Sequence, residues 1–145
     1  MIGGKYSKSK LINKPMTNTN TTNEQTTTNK KVFDIHKRIF NFVISVLKLT
    51  KLLPKTQQNL VFINQITRSV TSMGANDQEA DGSSSRKEFF RSLTIVKKET
   101  KETNYWLKII METNPGYKDQ TKPLIQEGQE IEAIISSIVQ KSKQL

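Results

Sequence analysis

From Val32 onward, apolar residues recur at helical spacing. Ile35, Ile39, Phe42, Val46, Leu49 and Leu53 fall at 4-3-4-3-4 intervals, the seam of a bundle or coiled coil. Phe33, Phe40, Val43, Ile44 and Leu47 form a second apolar set on the same helix. A helix apolar over so much of its surface must be covered on more than one side, which already suggests an oligomer. Pro54 ends it, because proline disfavours α conformation in the residue before it. A second helix is predicted from about Gln57 to Ala80, with seam Ile63, Ile66, Val70, Met73, Asp77 and Ala80. Asp77 interrupts this seam. Gly74 and Ala75 lie side by side in the helix interior, where glycine needs a closely approaching neighbour to offset its cost. Gly82 suits a left-handed C-terminal cap.

The third helix opens on Ser85-Arg86-Lys87-Glu88, which fits the S-x-x-E capping box. Its seam reads Phe89, Leu93, Val96, Thr100, Thr103, Leu107 and Ile110, with Ser92, Ile95, Glu99, Glu102, Trp106 and Ile109 as a flanking row. Asn114-Pro115-Gly116 is a turn. A fourth helix is expected from about Thr121 to Ser142, with Pro123 in its first turn and an apolar face of Leu124, Ile131, Ile134, Ile135, Ile138 and Val139. Nothing alternates with the period of a β-strand over more than a few residues. The expected fold is all-α, an antiparallel up-down-up-down four-helix bundle over residues 32–145.

Residues 1–31 read differently, as a disordered basic tail. Eleven of the thirteen residues Thr17–Asn29 are Thr or Asn. The six apolar residues within 1–31 bury too little to offset the entropy of ordering the tail, about 1–2 kcal/mol per residue. The whole chain has 145 residues and a formal net charge of +10, which favours an anionic partner, nucleic acid first. The absence of cysteine excludes disulfides, thiolate metal sites and cysteine nucleophiles. A single histidine, His36, leaves little for imidazole chemistry. No apolar run reaches membrane-spanning length and the N-terminus turns basic at once, so a cytoplasmic protein with no membrane partner is expected.

Three elements occur together: Ser72-Met73-Gly74-Ala75-Asn76-Asp77-Gln78-Glu79-Ala80, Ser85-Arg86-Lys87-Glu88-Phe89, and Lys98-Glu99-Thr100-Lys101-Glu102-Thr103-Asn104-Tyr105-Trp106-Leu107. In this order they resemble the bacterial four-helix bundle family whose first-known members are encoded in intervening sequences of large-subunit ribosomal RNA genes. The resemblance extends over about Val32–Lys143. It implies a left-handed antiparallel bundle assembled as a homopentamer. A related protein, the accessory variability subunit of diversity-generating retroelements, is a basic pentamer that binds a reverse transcriptase and nucleic acid. Such an enzyme is therefore a candidate partner here.

On the third helix Lys87, Arg91, Thr94, Lys98, Lys101, Tyr105 and Lys108 recur at 4-3-4-3-4-3 spacing and make one stripe. The helix carries seven basic and four acidic residues. Lys87, Arg91, Lys98, Lys101, Tyr105 and Lys108 are the candidate nucleic-acid contacts, with the lysines and arginine on phosphates and Tyr105 able to stack on an unpaired base. No base-reading motif is present, so binding would be sequence-tolerant. Asn76, Glu79, Glu99 and Glu102 are expected to form a structural polar network, with Arg68 or a neighbouring subunit as a further donor, that sets register or oligomeric state. The carboxylates Asp77, Glu79, Glu99 and Glu102 could face one another between the second and third helices, but they lack the Glu-x-x-His pairs of a carboxylate-bridged metal site, so no metal and no cofactor are expected. Trp106 is expected in the core or at a subunit contact. No nucleophile with an oriented base is visible and no phosphate-binding glycine loop, so no catalytic residue is assigned. Two functions follow: a non-enzymatic oligomeric adaptor on RNA or DNA in a retroelement- or ribosomal-RNA-associated complex, or a protein–protein scaffold whose charge only keeps it soluble.

Overall fold

A computed structural model describes the backbone of residues 23–144 and the side chains from Ile35 onward. Four α-helices follow in order: α1 (Asn23–Leu52), α2 (Gln57–Asp81), α3 (Arg86–Thr113) and α4 (Lys118–Ser142), with a 3₁₀ turn at Pro115–Tyr117. There is no strand among the described residues. α1 begins ahead of the expected Val32, so residues 23–31 of the expected tail are helical. Extending a helix that is already nucleated needs no new nucleus, so a segment with little apolar surface to bury can continue one. The remaining part of the tail, residues 1–22, lies outside the described residues, as does the side chain of Phe33.

The seams meet in one core. All six α1 seam residues are buried, as are Ile66, Val70, Met73 and Ala80 of α2 and Leu93, Val96, Leu107 and Ile110 of α3. α4 contributes Ile125, Ile131, Ile135 and Val139, while Leu124, Ile134 and Ile138 are only partly buried. Each helix runs antiparallel to the one before. The middle of α1 meets the last turns of α2 through His36 and Asp77. Ser69 of α2 meets Thr103 of α3 at 2.9 Å, and Asn104 of α3 donates to Glu132 of α4 at 2.8 Å. α4 returns to α1, where Arg38 donates to both carboxylate oxygens of Glu127 at 2.9 and 2.8 Å and to Glu130 at 2.8 Å.

Two glycines permit close helix approach. A Cβ on Gly74 would stand 3.2 Å from Cγ2 of Val43, so α1 lies against α2 there, as the interior glycine requires. The Gly128 Cα faces Asn104 and Phe42. At the lower end of the α2–α3 pair, the buried side chains of Asn59 and Asn114 exchange hydrogen bonds of 2.8 and 2.9 Å. Asn59 also donates to the Pro54 carbonyl and Asn114 to that of Ile110.

The helix ends depart from expectation in three ways. Ser85 Oγ accepts from the Glu88 N–H at 3.2 Å, but the Glu88 carboxylate takes the Ser84 hydroxyl instead of completing the box. Gly82 has φ −88° and ψ 3°, not the left-handed conformation. The turn is already closed by Gly82 N–H to the Gln78 carbonyl and by Ser83, whose N–H and hydroxyl both reach the Ala80 carbonyl. α4 starts at Lys118, because the 3₁₀ turn feeds straight into it, so Pro123 lies inside the helix and leaves the Asp119 carbonyl without its usual partner. Since Ser85 is the side-chain cap of α3, Ser85→Ala should lower stability by about 1 kcal/mol in a urea melt.

Candidate nucleic-acid interface

The seam of α3 turns Leu93, Val96, Thr100, Thr103, Leu107 and Ile110 inward. The opposite face is thereby fixed outward, and Lys87, Arg91, Thr94, Lys98, Lys101, Tyr105 and Lys108 are all exposed or half-exposed. At 1.5 Å per residue the stripe is about 32 Å long, equal to about nine phosphates along one strand of a duplex. None of its five cations forms a salt bridge among the described residues. Arg38, by contrast, is held by two glutamates. The stripe's charges are therefore available to an external anion.

Tyr105 is 56% exposed, and its position is fixed from below. Its ring stands edge-on to Trp106 with centroids 5.1 Å apart, and Trp106 stacks on Phe62 at 6.1 Å. The Trp106 Nε1–H points to Glu102 Oε1 at 3.4 Å. Trp106 is half-buried against the core, in keeping with a packing role.

The four residues expected as one polar network are not joined by hydrogen bonds among the described residues. Asn76 donates to the Ser72 carbonyl of its own helix at 2.8 Å, and Glu79 is exposed. The reason is level. With Ser69 opposite Thr103, antiparallel helices place Asn76 near Val96 and Glu79 near Leu93, roughly one turn or more from Glu99 and Glu102. Glu99 and Glu102 remain neighbours on the half-buried flank. Burial, with Glu102 beside it, lifts the Glu99 carboxyl above the usual carboxylate range, against the pull of Lys98 and Arg68.

Among the polar contacts absent from the sequence expectations is His36 with Asp77. The His36 Nδ1 lies 2.8 Å from Asp77 Oδ1, and Nε2 lies 3.5 Å from Asp81 Oδ1. Asp77 is 1% exposed. The signal was a carboxylate in an apolar seam, since a buried charge requires a partner. Among the described residues no group of three His, Asp or Glu side chains is placed to hold a metal ion, and no helix is long and apolar enough to cross a membrane.

Four antiparallel helices with one outward cationic face define a small all-helical bundle protein. The chain belongs to the 23S rRNA-intervening sequence protein family, whose model matches residues 31–137. A solved structure from Bacteroides thetaiotaomicron, described as a protein of unknown function from the S23 ribosomal protein family, is similar at 33% identity and a TM-score of 0.65. The match covers 72% of this chain and 97% of that one. Among curated proteins nothing matches.

Proposed function

We propose that the protein is a non-enzymatic, oligomeric helical adaptor that binds RNA or DNA without sequence preference through the Lys87–Lys108 face of α3. The observation that carries this reading is the row of five outward cations, unpaired among the described residues, on one helix face. Tyr105, exposed and braced by Trp106, adds a ring on which an unpaired base can stack. A single non-specific site binds with dissociation constants around 10⁻⁴–10⁻⁶ M at physiological salt. Linking several copies raises the effective concentration, and avidity adds roughly 10²–10⁴. Affinity should therefore tighten with oligonucleotide length and fall steeply with salt. Binding that ignores salt, or is absent from every oligonucleotide tried, would favour the protein–protein scaffold. A cytoplasmic retroelement- or ribosomal-RNA-associated complex, with a reverse transcriptase as a partner, is the setting that the family resemblance suggests.

A homopentamer is the assembly that the same resemblance suggests, and the outer face of α1 supports self-association. Phe40 is 61% and Ile44 37% exposed. Beside them runs a shallow groove lined by Ile39, Phe40, Val43, Gly74 and Ala75. Light scattering on the purified chain should give a mass near five times 16.6 kDa. Phe40→Asp should reduce that mass while the helical circular dichroism is retained, because the ring contributes little to the core of one chain. A parent protein that stays monomeric at micromolar concentration would overturn the assembly.

A further inference from the structure

Helices α1 and α2 are joined by a buried charge whose partner is titratable. Asp77 occupies a seam position of α2 and lines the apolar groove together with Ile39, Val43 and Gly74. Its Oδ1 accepts from His36 Nδ1 at 2.8 Å. The other ring nitrogen stands 3.5 Å from Asp81 Oδ1, one turn further along α2. The His36 side chain is 12% exposed, and it borders an open cleft of about 430 Å³ formed with Asp81, Ser83, Ser84, Ser85 and Arg86. Protons can therefore reach the ring while its carboxylate partner stays dry. An imidazole that acts as a general base keeps one nitrogen free for a substrate. A ring facing a carboxylate at each nitrogen is instead arranged to hold two protons.

We propose that the His36–Asp77–Asp81 cluster is a proton-operated latch that fastens the middle of α1 to the end of α2. With His36 protonated, Asp77 has a charge-assisted bond and a compensating cation. With His36 neutral, the Nδ1–H still donates, but the buried carboxylate loses its counter-charge, which is the costly half of a broken buried pair. The charged groups around the ring are Asp77 and Asp81 of α2 and Arg86 at the start of α3, which borders the same cleft. On α1 itself Lys37 is adjacent in sequence and exposed, and Arg38 is engaged by Glu127 and Glu130 of α4. The Asp77 hydrogen bond, aided by the charges of Asp77 and Asp81 and opposed by burial, raises the His36 pKa above its ordinary 6.5. The latch therefore contributes fully below pH 6.5 and is lost as pH rises through the raised value. Asp77 also lines the apolar groove beside Phe40, so release loosens the wall of that exposed face.

His36 is the sole histidine, so its imidazole resonance in the full chain is unambiguous. An NMR titration of the parent should give a midpoint above 6.5, and Asp77→Asn should bring it down. Native-state hydrogen exchange, corrected for intrinsic rates, should show residues 35–46 of α1 losing protection relative to α3 through the same midpoint. Each pH unit between that midpoint and 6.5 corresponds to a tenfold loss of relative protection. His36→Gln should abolish the pH dependence. A parent midpoint at or below 6.5, or α1 protection that keeps pace with α3 across the transition, would overturn the latch. Both readouts use the unmodified protein, so the latch stands or falls on them whether or not Asp77→Asn folds.

Discussion

Gly128→Ala should destabilise the protein by about 3 kcal/mol, the upper part of the range for overfilling a packed interior. The new methyl would overlap Asn104 Oδ1 and lie 3.0 Å from Phe42 Cζ. Neither neighbour can retreat freely. Phe42 is a buried member of the α1 seam, and Asn104 is anchored to Glu132 through its Nδ2. The cost has a diagnostic partner. Asn104 Oδ1 is a buried acceptor without a hydrogen bond among the described residues, a condition that itself costs about 1–3 kcal/mol. Asn104→Ala removes both the orphan and the obstacle, while half-buried Glu132 regains water. The double variant Asn104→Ala/Gly128→Ala should therefore be more stable in urea than Gly128→Ala alone, a non-additivity expected of residues in contact. A Gly128→Ala protein within about 0.5 kcal/mol of the parent would show that α3 and α4 separate easily, contrary to their close approach at this glycine.

Reversing Lys98, Lys101 and Lys108 to glutamate should nearly eliminate nucleic-acid binding. Each phosphate contact on a duplex contributes about −0.9 to the slope of log affinity against log salt. Three lost contacts flatten the slope by about 2.7 and weaken binding about 10²-fold at roughly 0.15 M salt, before the repulsion from three new carboxylates is counted. Fluorescence anisotropy over a salt series measures both quantities. The three side chains lie outside the core, so mass and melting behaviour should match the parent. If the variant binds as tightly as the parent, the stripe is only a solvated helix face, and the scaffold reading replaces the adaptor.

The four-helix order was legible because each seam obeys one period over many turns. The α1 seam is buried at every predicted position, and the α3 seam at all but half-buried Phe89. The outward stripe followed from the same phase, since fixing one face of a helix fixes its opposite. What remained hidden depended on relations between helices. Asp77 stood out as a charge in a seam, but its partner is 41 residues away, and the meeting requires the rotation of α1 about its own axis. The expected network of Asn76, Glu79, Glu99 and Glu102 does not close within one chain among the described residues for a related reason: residue types were compatible, but their heights along the antiparallel pair were not. Gly128 carried even less signal. A lone glycine inside a helical pattern reads as a weak point until the side chain opposite is known.

Heptad-like seams have an ambiguity of their own. Sliding α2 along α3 by a turn would still set aliphatic residues against aliphatic residues, so dispersion and burial discriminate poorly between one alignment and the next. The reciprocal Asn59–Asn114 amides remove this degeneracy. Any slip would strand two buried carboxamides, and the Ser69–Thr103 hydroxyl pair higher up would be parted in the same movement. The two polar pairs act together as a vernier: apolar burial clamps the helices, and the amides and hydroxyls select the single notch at which they stop.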